Sequence, residues 1–167
     1  TVYHSIMELI DFSEAEKGGL PYVERAVKEM SDRKVFLPEE IEAVDLSKIS
    51  AFFDTEIGKR CARASERGEL WKEQTFNLAV AMHGEKTIVQ GIIDCFFRED
   101  GRIVLLDYKS NWVDERRPFE EERRRLIDKY STQLKIYREA LRQGMHQPVS
   151  AAYLYLFAAD RCISLDE

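Results

Sequence analysis

The sequence predicts a single α/β domain, in which a helical portion over about 1–68 precedes a mixed central sheet and a long helix over about 69–167. Three observations carry the prediction. The first 68 residues place their apolar side chains at helical spacing, whereas from residue 70 onward short runs rich in β-branched and aromatic residues alternate with turn signals. A chain of 167 residues with 44% hydrophobic and 34% charged content can bury one good core but not two comfortable ones.

The segment 2–12 is amphipathic and reads as a helix, 22–33 as a second, and Pro38-Glu39-Glu40 opens a short third with proline in its first turn. A fourth runs from Ser50 to about Arg67 and is closed by Gly68. The runs 70–82 and 86–97, separated by His83-Gly84-Glu85, read as two strands of a meander, and Asp100-Gly101 supplies the hairpin turn before a third at 102–109. A helix is expected from about 115 to 143, ending at Gly144. The run 149–157 is almost continuously apolar, as a strand buried inside the sheet would be.

Composition excludes several classes of function. No run approaches the roughly 18 apolar residues of a membrane-spanning helix, and the first residues lack the pattern of a secretory signal. A cytoplasmic protein without a membrane partner is expected. Cys61, Cys95 and Cys162 are odd in number and far apart, which suggests no disulfide framework and no zinc or iron–sulfur site. Thr1 is not a start methionine, so the chain is expected to be a piece of a longer protein. No GxxxxGK[ST] loop is present, so no nucleotide is expected in this stretch. The net charge of −6 is unevenly spread: residues 109–142 hold 10 Lys and Arg against 7 Asp and Glu, while residues 1–108 hold 14 against 21. The basic stretch would steer an anionic substrate or present a solvated helix face. For Arg123, Arg124, Arg125 and Lys129 both readings stay open, because Glu120, Glu121 and Glu122 lie at pairing distance along the helix.

If the hairpin pairs symmetrically about Asp100-Gly101, Asp94 falls opposite Asp107. Like charges so placed destabilise a sheet unless something neutralises them, and a divalent cation with a preference for oxygen, Mg²⁺ or Mn²⁺, is the simplest candidate. Alternation puts Lys109 on the face of Asp107 and turns the Tyr108 side chain toward packing. A lysine there can orient or deprotonate a water, or stabilise charge developing on a phosphate. Asp and Lys at a strand end are most often simply solvated. Here, however, both carboxylates follow apolar runs, Ile92-Ile93 and Ile103 to Leu106, in facing register. His83 and His146 sit beside turn residues and read as surface positions.

These residues resemble the PD-(D/E)XK nuclease superfamily, and within it the RecB-like branch. Gly91-Ile92-Ile93-Asp94 looks like its GxxD motif, Leu105 to Ser110 like its hhDYK[ST] motif, and Gln133 to Tyr137 matches QxxxY. His4, in an amphipathic N-terminal stretch, resembles the branch's helical histidine. The order and span of the motifs are most similar to the C-terminal nuclease domain of the AddA-type helicase–nucleases. The resemblance implies a restriction-endonuclease-like core and a metal held by His4, Asp94, Asp107 and the Tyr108 carbonyl. It also implies a catalytic Lys109, with Gln133 and Tyr137 near the site positioning DNA. Glu73 resembles a glutamate preceding the GxxD strand, structural or one step removed from the metal. Related branches carry an iron–sulfur cluster on four cysteines; three are present, none at the required places. The implied activity is exonucleolytic cleavage of single-stranded DNA at double-strand breaks in recombinational repair, with the chain's own helicase portion and an AddB-type protein as partners. The rivals are an inactive DNA-binding or scaffold module of the same fold and a stand-alone nuclease of the branch.

Overall fold

The computed structural model describes residues 1–111 and 113–166, with Met82 described in its main chain only. Five helices come first: α1 (Val2–Leu9), α2 (Phe12–Asp32), α3 (Pro38–Glu42), α4 (Leu46–Asp54) and α5 (Glu56–Glu66). The meander β1 (Leu70–Met82), β2 (Glu85–Glu99) and β3 (Arg102–Lys109) follows, then α6 (Phe119–Met145), β4 (Val149–Leu156), a 3-10 turn and β5 (Arg161–Ser164). The sheet order is β1-β2-β3-β4-β5, antiparallel throughout except between β3 and β4, which run parallel because α6 carries the chain back between them. No helix among the described residues is long and apolar enough to cross a membrane.

The helical portion differs from expectation at three places, each with a local cause. The expected helix over 2–12 stops at Leu9 because Asp11 caps a new one, its carboxylate accepting the Glu14 N–H at 3.0 Å. That second helix begins ten residues earlier than predicted and is broken at Gly19, ahead of Pro21. The single helix expected over 50–67 is two, since Thr55 is extended and its hydroxyl caps α5 through the Gly58 N–H at 3.1 Å. Downstream, α6 runs past Gly144 and ends where His146 turns left-handed, and β5 is a strand that the apolar pattern does not announce.

The sheet buries both faces. Toward α1, α2, α4 and α5 it presents Cys95, Phe97, Val104, Leu106, Tyr108 and Tyr155, packed with Ile6, Met7, Phe12, Phe52, Phe53 and Phe157. Toward α6 it presents Ile93, Phe96, Ile103, Leu105, Leu154 and Leu156, packed with Leu126, Leu134, Tyr137 and Leu141. On the first face Phe52 meets Phe12, Phe53, Tyr108 and Tyr155 edge-on with centroids 4.9–6.0 Å apart, a geometry that adds to the burial of each ring. The Tyr108 ring is thereby fixed, and with it the main chain between Asp107 and Lys109.

The β2–β3 hairpin has the register read from its turn: Asp100 and Gly101 both have positive φ, and Glu99 faces Arg102 through to Cys95 facing Leu106. The ladder ends there, one pair short of Asp94 and Asp107. On the other side of β2 the pairing skips Glu73 and Asp94, between Lys72–Cys95 and Gln74–Ile93, and Glu73 has φ 48°. At this level the strands exchange faces. Ile93 and Phe96 pack on the α6 side although three residues apart, as do Trp71 and Phe76, five apart. Such irregularities re-aim a side chain that regular alternation would send elsewhere, and here the side chain is that of Asp94.

Candidate active site

Four elements bring the predicted residues together. Asp94 leaves the ladder of β2, and its Oδ2 accepts the Tyr108 N–H of β3 at 2.8 Å in place of a main-chain partner. His4, from α1, sets its Nε2 3.2 Å from the same Oδ2 and 3.1 Å from the Tyr108 carbonyl. Nε2 faces two oxygen acceptors and so carries a proton in this arrangement, while Nδ1 lies 2.6 Å from the Thr1 hydroxyl. Hydrogen bonding to Asp94 raises the imidazole pKa above its ordinary value, against the opposing pull of burial.

Asp107 and Lys109 share the α6 side of β3. The Asp107 residue is 3% exposed, and its pKa is pushed up to about 7 by burial first and the Asp94 charge second. Its Oδ2 lies 2.8 Å from the Lys109 ammonium as an ion pair, and that buried oxygen accepts no other contact among the described residues. Lys109 is held from three sides: by Asp107, by Gln133 Oε1 at 3.1 Å, and by the Tyr130 ring, whose centroid is 3.9 Å from the ammonium. Gln133 in turn donates to the Tyr137 hydroxyl at 3.1 Å. Burial, then the charges of Asp107 and Asp94, raises that phenol to about 12. Tyr130 is a site residue that the motifs do not single out. A signal for it exists in the sequence: Tyr130, Gln133 and Tyr137 recur at helical spacing on one stripe of α6.

Glu73 lies close enough to Asp94 for that charge, after burial, to raise its carboxyl pKa. Of the candidate phosphate contacts, Arg123 pairs with Glu120 at 2.8 Å, and Arg124 more loosely with the same carboxylate at 3.9 Å. Arg125 pairs with Glu122 at 2.8 Å. His83 and His146 are exposed at turns, and Cys61 and Cys95 are buried thiols, Cys162 an exposed one.

The residues present suit a hard divalent cation. They offer one imidazole, two carboxylates and a main-chain carbonyl, and the buried Oδ2 of Asp107, with only the Lys109 ammonium beside it, has lone pairs left for a cation. Among the described residues no three His, Cys, Asp or Glu side chains already form a closed coordination group. His4 and Asp94 touch each other, while Asp107 is turned to Lys109.

Comparison with known proteins gives the cluster its context. The AddA protein of Anoxybacillus flavithermus, a component of an ATP-dependent helicase/nuclease, is 34% identical over 160 residues, covering 94% of this chain and 12% of that protein. The protein of the same name from Syntrophomonas wolfei is 33% identical over 171 residues, covering 98% and 13%. That of Bacillus cereus strain Q1 is 28% identical over 180 residues, covering 100% and 14%. The chain thus spans only 12–14% of the length of these relatives. A family model of the PD-(D/E)XK nuclease superfamily matches residues 1–161, a span that takes in every element contributing to the cluster, and the chain belongs to that superfamily.

Proposed function

We propose that this chain is the nuclease domain of a larger AddA-type helicase–nuclease and hydrolyses DNA phosphodiester bonds with the help of Mg²⁺ or Mn²⁺. The observation that carries the reading is the convergence of Asp94 Oδ2 and the Tyr108 carbonyl on one ring nitrogen of His4, with the buried Asp107 beside them. His4, Asp94, Asp107 and the Tyr108 carbonyl would hold the cation, which supplies Lewis-acid polarisation of a phosphate oxygen and a lowered pKa for water. Lys109 reaches the same place from β3. Fixed by Asp107, Gln133 and the Tyr130 ring, its ammonium orients the attacking water or stabilises charge developing on the scissile phosphate. Gln133, itself donating to the Tyr137 hydroxyl, holds Lys109 from α6, and the two side chains line the approach of the DNA.

The substrate class follows from the relatives and from charge. The basic stretch of 109–142 is largely engaged by its own acids, so the domain has little non-specific affinity for nucleic acid. Single-stranded DNA delivered by a helicase portion of the same polypeptide, together with an AddB-type partner in the bacterial cytoplasm, fits that surface. The proposed reaction is exonucleolytic trimming of broken ends.

Wild-type chain incubated with end-labelled single-stranded DNA and Mn²⁺ is expected to cut it, and EDTA or Asp107→Ala to abolish cutting. Gln133→Ala, which removes one of three contacts on Lys109, is expected to lower kcat about tenfold, the order of one lost hydrogen bond. Failure of the wild-type chain to bind Mn²⁺ in calorimetry would overturn the reading and leave a DNA-binding scaffold of the same fold.

A further inference from the structure

Helix α1 is the least self-sufficient part of the site. Eight residues do not hold a helix in water, so the position of His4 is set by what α1 packs against. Ile6, Met7 and Ile10 are buried, and Tyr3 stacks on Phe157 at 5.0 Å while its hydroxyl accepts the Asp45 N–H at 3.0 Å. Apolar burial chooses the face of the helix that docks, but it is not directional and does not by itself fix the helix along its axis.

One directional contact grips the far end. Lys72 of β1 donates to the main-chain carbonyl of Ile10 at 2.5 Å and to that of Glu8 at 3.4 Å, with its ammonium 4.2 Å from the centre of the Phe12 ring. No carboxylate among the described residues lies within ion-pair distance of it, and burial lowers its pKa. A half-buried ammonium spent on the last carbonyls of a helix completes the negative end of the helix dipole. Its root matters as much. Lys72 pairs with Cys95, the neighbour of Asp94, and precedes the left-handed Glu73. One residue therefore spans from the strand level that re-aims Asp94 to the end of the helix that carries His4.

We propose that Lys72 is a positioning residue for His4, clamping the C-terminal end of α1 so that the imidazole meets Asp94 and the Tyr108 carbonyl around a divalent cation. The inference rests on the metal-site reading above. It assigns Lys72 no contact with metal or DNA: its effect passes through α1.

The test is a double-mutant cycle on the 167-residue chain, with Mn²⁺ affinity read by calorimetry for wild type, Lys72→Met, His4→Ala and the double variant. Lys72→Met is expected to weaken Mn²⁺ binding about tenfold, as loss of a group that orients a metal ligand does. Added to His4→Ala, with Mn²⁺ in the millimolar range, it is expected to have no further effect. In metal-free protein, Lys72→Met is expected to speed hydrogen exchange at the amides of α1 while β3 stays protected. Equal losses in both backgrounds, or wild-type affinity and α1 protection in Lys72→Met, would overturn the role of Lys72. If wild type does not bind Mn²⁺, or binds it equally without His4, the metal-site reading itself falls and the inference with it. Should Lys72→Met fail to fold, Lys72→Gln, which removes the charge and keeps a donor, takes its place in the same cycle.

Discussion

Lys109→Met is expected to lower the rate of single-turnover DNA cleavage by about 10³-fold, the order for removing a positioned proton-transfer or charge-stabilising group, while Mn²⁺ affinity falls by no more than the cost of taking a proton from Asp107. The separation follows from geometry. Lys109 belongs to none of the ligand contacts around His4, yet its ammonium lies 2.8 Å from Asp107 and 3.1 Å from Gln133, poised on the α6 side. Methionine keeps the packing of the aliphatic stem. Removing one member of a buried ion pair is usually destabilising because it strands the other charge. Here Asp107 is already raised to about 7, so it takes up a proton at modest cost and the fold survives. Thermal denaturation alongside the kinetics checks this, and cleavage by Lys109→Met at near wild-type rate would remove the lysine from the mechanism.

The largest effect on stability is expected at Gly58. A methyl group there would lie 1.9 Å from the Phe52 carbonyl oxygen, 2.7 Å from its carbon and 2.9 Å from the Phe53 Cα. These are main-chain atoms and cannot swing aside. The close approach exists because Thr55 ends one helix and starts the next, its hydroxyl lying 2.5 Å from the Phe52 carbonyl and accepting from the Gly58 N–H. Forcing α5 away from α4 displaces Phe52 and Phe53, which pack against Phe12, and Phe52 also against Tyr108 and Tyr155. Gly58→Ala is therefore expected to cost about 3 kcal/mol or more, seen as a fall in the urea midpoint and a Tm lowered by about 6–12 °C. Gly144→Ala is the control, since an added methyl there meets nothing within 4 Å, and it is expected to be neutral or slightly stabilising. Equal stability of the two variants would show that the corner yields more easily than its distances imply.

Much of the site could be read from sequence because its spacing is local. The facing of Glu99 and Arg102 follows from a two-residue Asp-Gly turn, and the rest of the β2–β3 register follows by counting. The shared face of Asp107 and Lys109 follows from alternation, and the alignment of Gln133 with Tyr137 from the helical repeat. Less legible was the helical portion, where capping by Asp11 and Thr55 cut two expected helices short. Aspartate and threonine are tolerated on a helix surface as well as favoured at a cap, so the residue type alone does not say which of the two roles Asp11 and Thr55 take.

The sequence by itself determined which side chains share a face and which strands form a hairpin, because those relations are carried by periods of two and 3.6 residues and by turns a few residues long. Only the tertiary structure decided that Glu73 takes a left-handed conformation and that β1 and β2 exchange faces at the level of Asp94. It alone decided that His4 meets a carbonyl 104 residues away and that Lys72 caps the helix bearing it. Contacts of that kind depend on two buried surfaces closing on each other, and no local period records where, along its length, one element will come to rest against another.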